Sequence, residues 1–425
     1  MNPLSRFRGA ALGGVLDQAL TSAENFAIGI ILIRNCPKAE YGVFALGYGI
    51  LVLAWSLIAS LITAQLPAVL SKGSPSQEER RAECSALLRS MLVACLATTG
   101  GGAIVVVLLV QFDIVAPQEL QYWLLLSLAL PGMCLRDFMR RYFFQERSEK
   151  LAVAMDAAAL VLTIAALGTL AVLHAGHLNS YAAGTLAVGG LAVGSWGIVA
   201  AGLAPRTPGI GSIATTWHAG RWNVGATLVS WIQNQAYTFF VTAMLGLAGL
   251  AATNAPRVLL TPITLLSTGL ALPLLPRFAS QKTNLQSVVG ARSAIALFAL
   301  TLGFVGSYLL ALWLARGAVL PLVLGSRYSD VWPCMVAWAV ANVFTNIRIY
   351  YSTFLLAKGG FRQLATANIL SSVVVLSLTA PLIARFGALG SVYSLAAGEF
   401  LFGMATWHQC RVVAAALLRK EPSPA

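Results

Sequence analysis

Apolar stretches long enough to cross a bilayer recur along nearly all of this 425-residue chain. A helix needs roughly 20 mainly apolar residues to span the hydrocarbon. Segments of that kind fall near 10–33, 40–70, 86–112, 119–143, 150–173, 179–203, 219–246, 250–279, 288–315, 330–357, 361–386 and 388–412. That is about twelve spans, and the connections between them are too short to hold a separate domain. Only 10% of the residues are charged and 58% are hydrophobic, whereas soluble domains carry about 25% charged residues. The chain therefore reads as an all-α integral membrane protein. Its N-terminus, MNPLSRFRGA, sets basic residues ahead of an apolar segment, as a signal peptide does. That segment carries Asp17, Gln18, Glu24 and Asn25 and is not followed by a short cleavage signal, so it is expected to stay as the first span.

The net charge of +13 would suit nucleic acid or anionic lipid, but the placement of the charges points to topology. With the N-terminus in the cytoplasm, 21 of the 28 Lys and Arg residues fall on the inner side, Arg136 and Arg140 among them. Six fall on the outer side and Arg348 lies within a span. This is the bias of cytoplasmic loops, and it predicts both termini inside and no nucleic-acid partner.

The second expected span closes on LPAVLSK (66–72) and the eighth on LPRFASQK (275–282), at an offset of 209. The polar face of the first span repeats at the same offset. Gly14, Gln18, Thr21, Glu24 and Asn25 share one helical face, and they map onto Asn223, Thr227, Ser230, Gln233 and Asn234. Two halves are expected, 1–210 and 211–425, each a six-helix bundle. Parallel repeats of this kind are a transporter architecture with the substrate site between the halves. Polar stripes also serve simply to hold helices together, and both readings stand at this point.

Asp17, Glu24, Asp156, Arg257, Arg348 and Glu399 fall inside expected spans, where a charge is expensive and faces water or a partner. Asp17 and Glu24, with Asn25, Gln233 and Asn234, are candidates for a cavity lining that couples transport to an ion gradient. The competing reading is an internal salt bridge to an Arg of the other half. Asp156 and Glu399 have no evident partner in the sequence and read as interhelical hydrogen-bonding groups. Arg221, Arg257 and Arg348, all in the second half, are candidates for binding an anionic head group, because a guanidinium fork suits phosphate. Tyr350 and Tyr351, in RIYYSTF, are candidates for stacking on sugar.

Six cysteines include no C-x-x-C; buried thiols are expected, with a Cys36–Cys334 disulfide as the alternative. His174 and His177 form an isolated H-x-x-H, and neither a metal site nor a cofactor is expected. GTLAVGGLAVG (184–194) reads as a close helix contact rather than a phosphate loop.

Four stretches carry a resemblance. RNCPKAEYGVFALGYGI (34–50), LVLGSRYSDVWPCMVAWA (322–339), AKGGFRQLATANIL (357–370) and ARFGALGSVYSLAAG (384–398) resemble, in order along the chain, segments of the Wzx-type polysaccharide flippases. These form a branch of the multidrug/oligosaccharidyl-lipid/polysaccharide (MOP) exporter superfamily. The resemblance implies two six-helix bundles in a V. It implies flipping of an undecaprenyl-pyrophosphate-linked oligosaccharide to the outer leaflet of a bacterial inner membrane by alternating access. As partners it implies that lipid-linked oligosaccharide, membrane lipid, and the polymerase and chain-length proteins of surface polysaccharide synthesis. The family's motifs are structural and assign no ligand residues. The acidic interior of the first half departs from a richly basic cavity and keeps a cation-coupled multidrug exporter of the same superfamily as an alternative. A polysaccharide polymerase or ligase is a third, disfavoured by the short outer connections.

Overall fold

A computed structural model describes residues 3–71, 77–173, 176–203, 211–265, 274, 278–279, 290–328 and 331–420. Among these residues regular structure is entirely helical. The chain divides into two compact units, Met1–Leu228 and Val229–Ala425. The sequence reading put the boundary at 210/211; the units meet instead within a helix, Gly211–Leu259.

The first unit holds α1 (Pro3–Asn35), α2 (Lys38–Leu61), the short α3 (Leu66–Ser71), α4 (Gln77–Gln111), α5 (Leu120–Gln145), α6 (Glu149–Val172), α7 (Leu178–Ala201) and the start of α8 (Gly211–Leu259). The most extensive packing joins α5 to α7, and glycine makes it possible. A Cβ on Gly190 would fall 2.7 Å from the carbonyl carbon of Gly132, and one on Gly132 would fall 2.7 Å from the Ala187 carbonyl oxygen. Lipid tails are as apolar as side chains, so close backbone approach is what drives helices together in a bilayer. The 184–194 stretch is thus the helix contact expected from its glycines. RNCPKAEYGVFALGYGI is also structural. Glu40 accepts the Asn179 backbone N–H (3.3 Å) at the start of α7, where a carboxylate meets the positive helix end. The buried Tyr122 donates to the Phe44 carbonyl (3.2 Å) beside Gly47.

In the second unit α8 is broken at Gly246 (φ 72°, ψ −179°), a conformation open essentially to glycine alone. Tyr237 donates to Asn254 Oδ1 at 2.6 Å. Along one straight helix these residues would stand about 25 Å apart, so the chain folds back at Gly246 into two spans. Then come α9 (Ala291–Leu314), the short α10 (Arg316–Val323), α11 (Trp332–Ala357), α12 (Phe361–Phe386) and α13 (Ala388–Lys420). The Gly-x-x-Tyr segment buries Tyr328 after α10. In AKGGFRQ, Gly360 N–H reaches back to the Leu355 carbonyl at 2.7 Å and ends α11. In ARFGALGSVYSLAAG, Gly398 gives its carbonyl to Ser371 (2.8 Å), joining α13 to α12.

Nine stretches among the described residues are long and apolar enough to cross a membrane. The long helices outside that set are α5 and α11, which carry arginines within them, and α8 counts once although Gly246 divides it. The protein is a multi-pass membrane protein. LPAVLSK begins α3 at Leu66, whereas LPRFASQK lies almost entirely outside the described residues. All six cysteines are free and buried, so the disulfide alternative falls. His174 also lies outside the described residues, and no group of three metal-binding side chains occurs among those described.

Candidate functional site

The first unit encloses a charge network built by α1, α5 and α6. Asp17 and Glu24 stand two turns apart on one face of α1, and both are buried. Glu24 Oε2 pairs with Arg136 Nη1 at 2.6 Å, and its Oε1 accepts the Thr163 hydroxyl at 2.9 Å. Arg136 Nε and Nη2 lie 2.8 and 2.7 Å from Oδ1 of Asp156, a fully buried residue of α6. Thr21 donates to Asp156 Oδ2 at 3.3 Å. Arg140 holds Asp137 at 2.9 Å, reaches Asp17 Oδ2 at 3.4 Å and comes within 3.9 Å of Asp156. Arg141 closes on Asp137 at 3.0 Å.

Two sequence readings are corrected here. The acids of α1 pair with arginines of their own unit, not of the other half. Asp156 has partners after all, because Arg136 and Arg140, counted with the inner side, point into the bundle. Arg136 lies nine residues before the end of α5, about 14 Å along the helix, too deep for a loop charge. Arg136, Arg140 and Asp137 were the residues that sequence reasoning missed. The signal was available in LRDFMRR, where Asp137 stands three and four residues before two arginines.

The network joins four carboxylates to three guanidiniums. Asp17 is held most loosely: its nearest guanidinium nitrogen is 3.4 Å away, and its Oδ1 is buried with no hydrogen-bond partner. Asn25 is exposed and accepts the Tyr48 hydroxyl at 3.0 Å.

The second unit has a smaller centre. Arg348 of α11 donates from Nε to Glu399 Oε2 of α13 at 2.6 Å, and Gln233 of α8 donates to Glu399 Oε1 at 3.2 Å. Glu399 is thus paired, which corrects its reading as a lone charge. Arg348 is not a free fork, since Glu399 takes its charge and the Phe402 ring lies 5.0 Å from its guanidinium carbon. Asn234 is exposed and donates to the Ser230 carbonyl at 2.7 Å.

The other candidates scatter. Arg257 is exposed, its guanidinium 5.1 Å from the Trp338 ring centre, with no ion pair among the described residues. Arg221 belongs to the first unit, not with the other two, and lies over Trp222 at 5.6 Å. Tyr351 is 1% exposed and packs with Phe278, Phe354 and Cys410. It offers no face to a sugar, so that assignment is withdrawn. Tyr350 is half-buried, edge-on to Phe278 at 5.2 Å.

No protein-family model matches the chain, and no curated protein matches it by sequence. Solved structures do. An inward-facing multidrug resistance MATE family transporter of the MOP superfamily aligns with a TM-score of 0.73 at 13% identity, over 94% of this chain and 96% of that one. The lipid II flippase MurJ in an inward closed conformation aligns with a TM-score of 0.73 at 10% identity, over 98% and 93%. A MOP superfamily transporter from Pyrococcus furiosus, described as having a binding pocket of reverse polarity, gives 0.63 at 14%, over 98% and 97%. The fold defined here is that of the MOP superfamily transporters. It is shared by drug exporters and by a lipid flippase, and it does not choose between them.

Proposed function

We propose that this chain is a transporter of the bacterial inner membrane that flips an undecaprenyl-pyrophosphate-linked oligosaccharide to the outer leaflet by alternating access. Both termini are then cytoplasmic, and a polymerase and chain-length proteins act on the product. The observation that carries this reading is Arg257. It is an intramembrane guanidinium stacked on Trp338 with no carboxylate partner among the described residues. Left without an anion, such a charge is costly in a membrane, and a pyrophosphate supplies one. The likeness to a lipid II flippase over nearly the whole chain supports the same substrate class. Asp17 and Glu24 line the ion-coupling path in this proposal.

The test is a deletion strain. Lipid-linked oligosaccharides are extracted from spheroplasts after treatment with a lectin or glycosidase that cannot cross the membrane. Accumulation of protected, inner-leaflet intermediates with loss of surface polysaccharide is the expected result. Normal surface polysaccharide overturns the proposal. A second reading, a cation-coupled multidrug exporter, draws on the surplus carboxylate of the first unit and on the buried, unpartnered Oδ1 of Asp17. Efflux of a cationic dye that depends on Asp17 would favour it.

A further inference from the structure

The start of α8 carries a surface that neither charge centre uses. Gly220 seats the helix against the end of α2, where a Cβ would fall 2.6 Å from the Leu61 carbonyl oxygen. Trp217, His218, Arg221 and Trp222 stand clear of that contact and are all exposed, Trp217 to 51% and Trp222 to 79%. Helical spacing puts His218, Arg221, Gly225 and Leu228 on one stripe, with Trp217 and Trp222 on its flanks. No carboxylate pairs with Arg221 among the described residues, and residues 211–230 contain neither Asp nor Glu. One turn beyond Arg221, a Cβ on Gly225 would meet nothing within 4 Å. The stripe therefore runs from a cationic end, across an open notch, to the exposed Leu228.

Its depth follows from α2. Leu61 is the last residue of α2, the apolar span that contains it closes one turn on at Gln65, and the apolar span of α8 opens at Gly220, so Gly220 packs near the edge of the hydrocarbon. Arg221 and the two tryptophans then lie in the interfacial layer, where tryptophan collects and lipid phosphates reside.

We propose that this stripe binds an anionic phospholipid of the leaflet in which α2 ends and α8 begins. Arg221 and His218 hold the phosphate, the tryptophan rings flank the glycerol region, and one acyl chain lies over Gly225 and Leu228. The guanidinium offers forked donors to phosphate oxygens. The surface belongs to one helix of one unit and is independent of the cargo, so it stands or falls separately from the proposed transport activity.

The full-length protein is reconstituted into phosphatidylcholine vesicles doped with brominated phosphatidylglycerol or, in parallel, brominated phosphatidylcholine. Fluorescence quenching is compared between the unaltered protein and Trp222→Phe, which isolates the share due to Trp222. Stronger quenching of that share by phosphatidylglycerol is expected. The preference should fall about fivefold in Arg221→Gln and by a smaller factor in His218→Gln, which removes one hydrogen-bonding ring. Arg221→Lys keeps the charge and should keep most of the preference. Equal quenching of Trp222 by the two lipids overturns the proposal, and so does a preference that survives the Arg221→Gln/His218→Gln double substitution.

Discussion

The two units answer one problem differently. Each sets a half-buried arginine on the fourth long helix of its half, Arg136 on α5 and Arg348 on α11. In the first unit the opposing acid on the opening helix is Glu24. At the matching position of the second unit, 209 residues on, stands Gln233, and the acid comes instead from Glu399 on α13. The first unit adds Asp156, Asp137, Asp17 and two more arginines around that contact; the second adds only an amide. A lone pair capped by an amide is a neutral structural link, since its charges balance. A network with one acid in surplus is not balanced. That imbalance is why the proposed function assigns ion coupling to the first unit and contact with an anion to Arg257 of the second.

The sharpest break comes from removing the bridging guanidiniums. Arg136→Ala leaves Glu24 buried without a counter-charge and Asp156 with only Arg140 at 3.9 Å, and loss of a buried partner costs about 3–5 kcal/mol. Arg348→Ala strands only Glu399. Thermal unfolding in detergent should show the larger drop for Arg136→Ala, and equal drops would erase the distinction between the units.

Next in size is a transplant. Gln233→Glu puts a second carboxylate against Glu399, and its cost should approach about 1–3 kcal/mol, the range for an unsatisfied buried polar group. Its mirror, Glu24→Gln, keeps an oxygen for Thr163 and should cost less. A reversed order in melting temperatures would mean the two positions are not equivalents. Asp17→Asn touches the loosest contact and keeps the side chain's shape, so it should lower the melting temperature less than Arg136→Ala does, while transport in proteoliposomes loses its response to an imposed proton gradient. An unaltered response takes Asp17 out of coupling. The smallest effect on stability, within about 0.5 kcal/mol, is expected for the exposed Arg257→Ala. Its transport of the lipid-linked oligosaccharide should nonetheless fall at least tenfold, and full activity would remove Arg257 from the substrate path.

Much of this was legible in the sequence because it is local. Span length and the polar faces around Glu24 and Gln233 follow from composition and from 3.6 residues per turn. Both faces do form contacts, Glu24 with Arg136 and Gln233 with Glu399. The partners were not legible, because they depend on which helices pack together. Arg136 looked like a loop charge since arginine near the end of an apolar run usually is one. Only the packing of α1 and α6 beside α5 turns it inward. Tyr351 failed for a similar reason: it is 1% exposed within the cluster of Phe278, Phe354 and Cys410, and periodicity alone does not say which face of α11 is covered.

The break at Gly246 has a consequence for how the second unit is made. A single non-helical residue separates the two arms of α8, and Tyr237 on one arm bonds Asn254 on the other. No loop exists to hold one arm in water while the other waits in lipid. Two arms joined this tightly are expected to enter the bilayer as one hairpin, with Tyr237 and Asn254 matched to each other. On that expectation insertion, and not only the finished fold, turns on a single glycine.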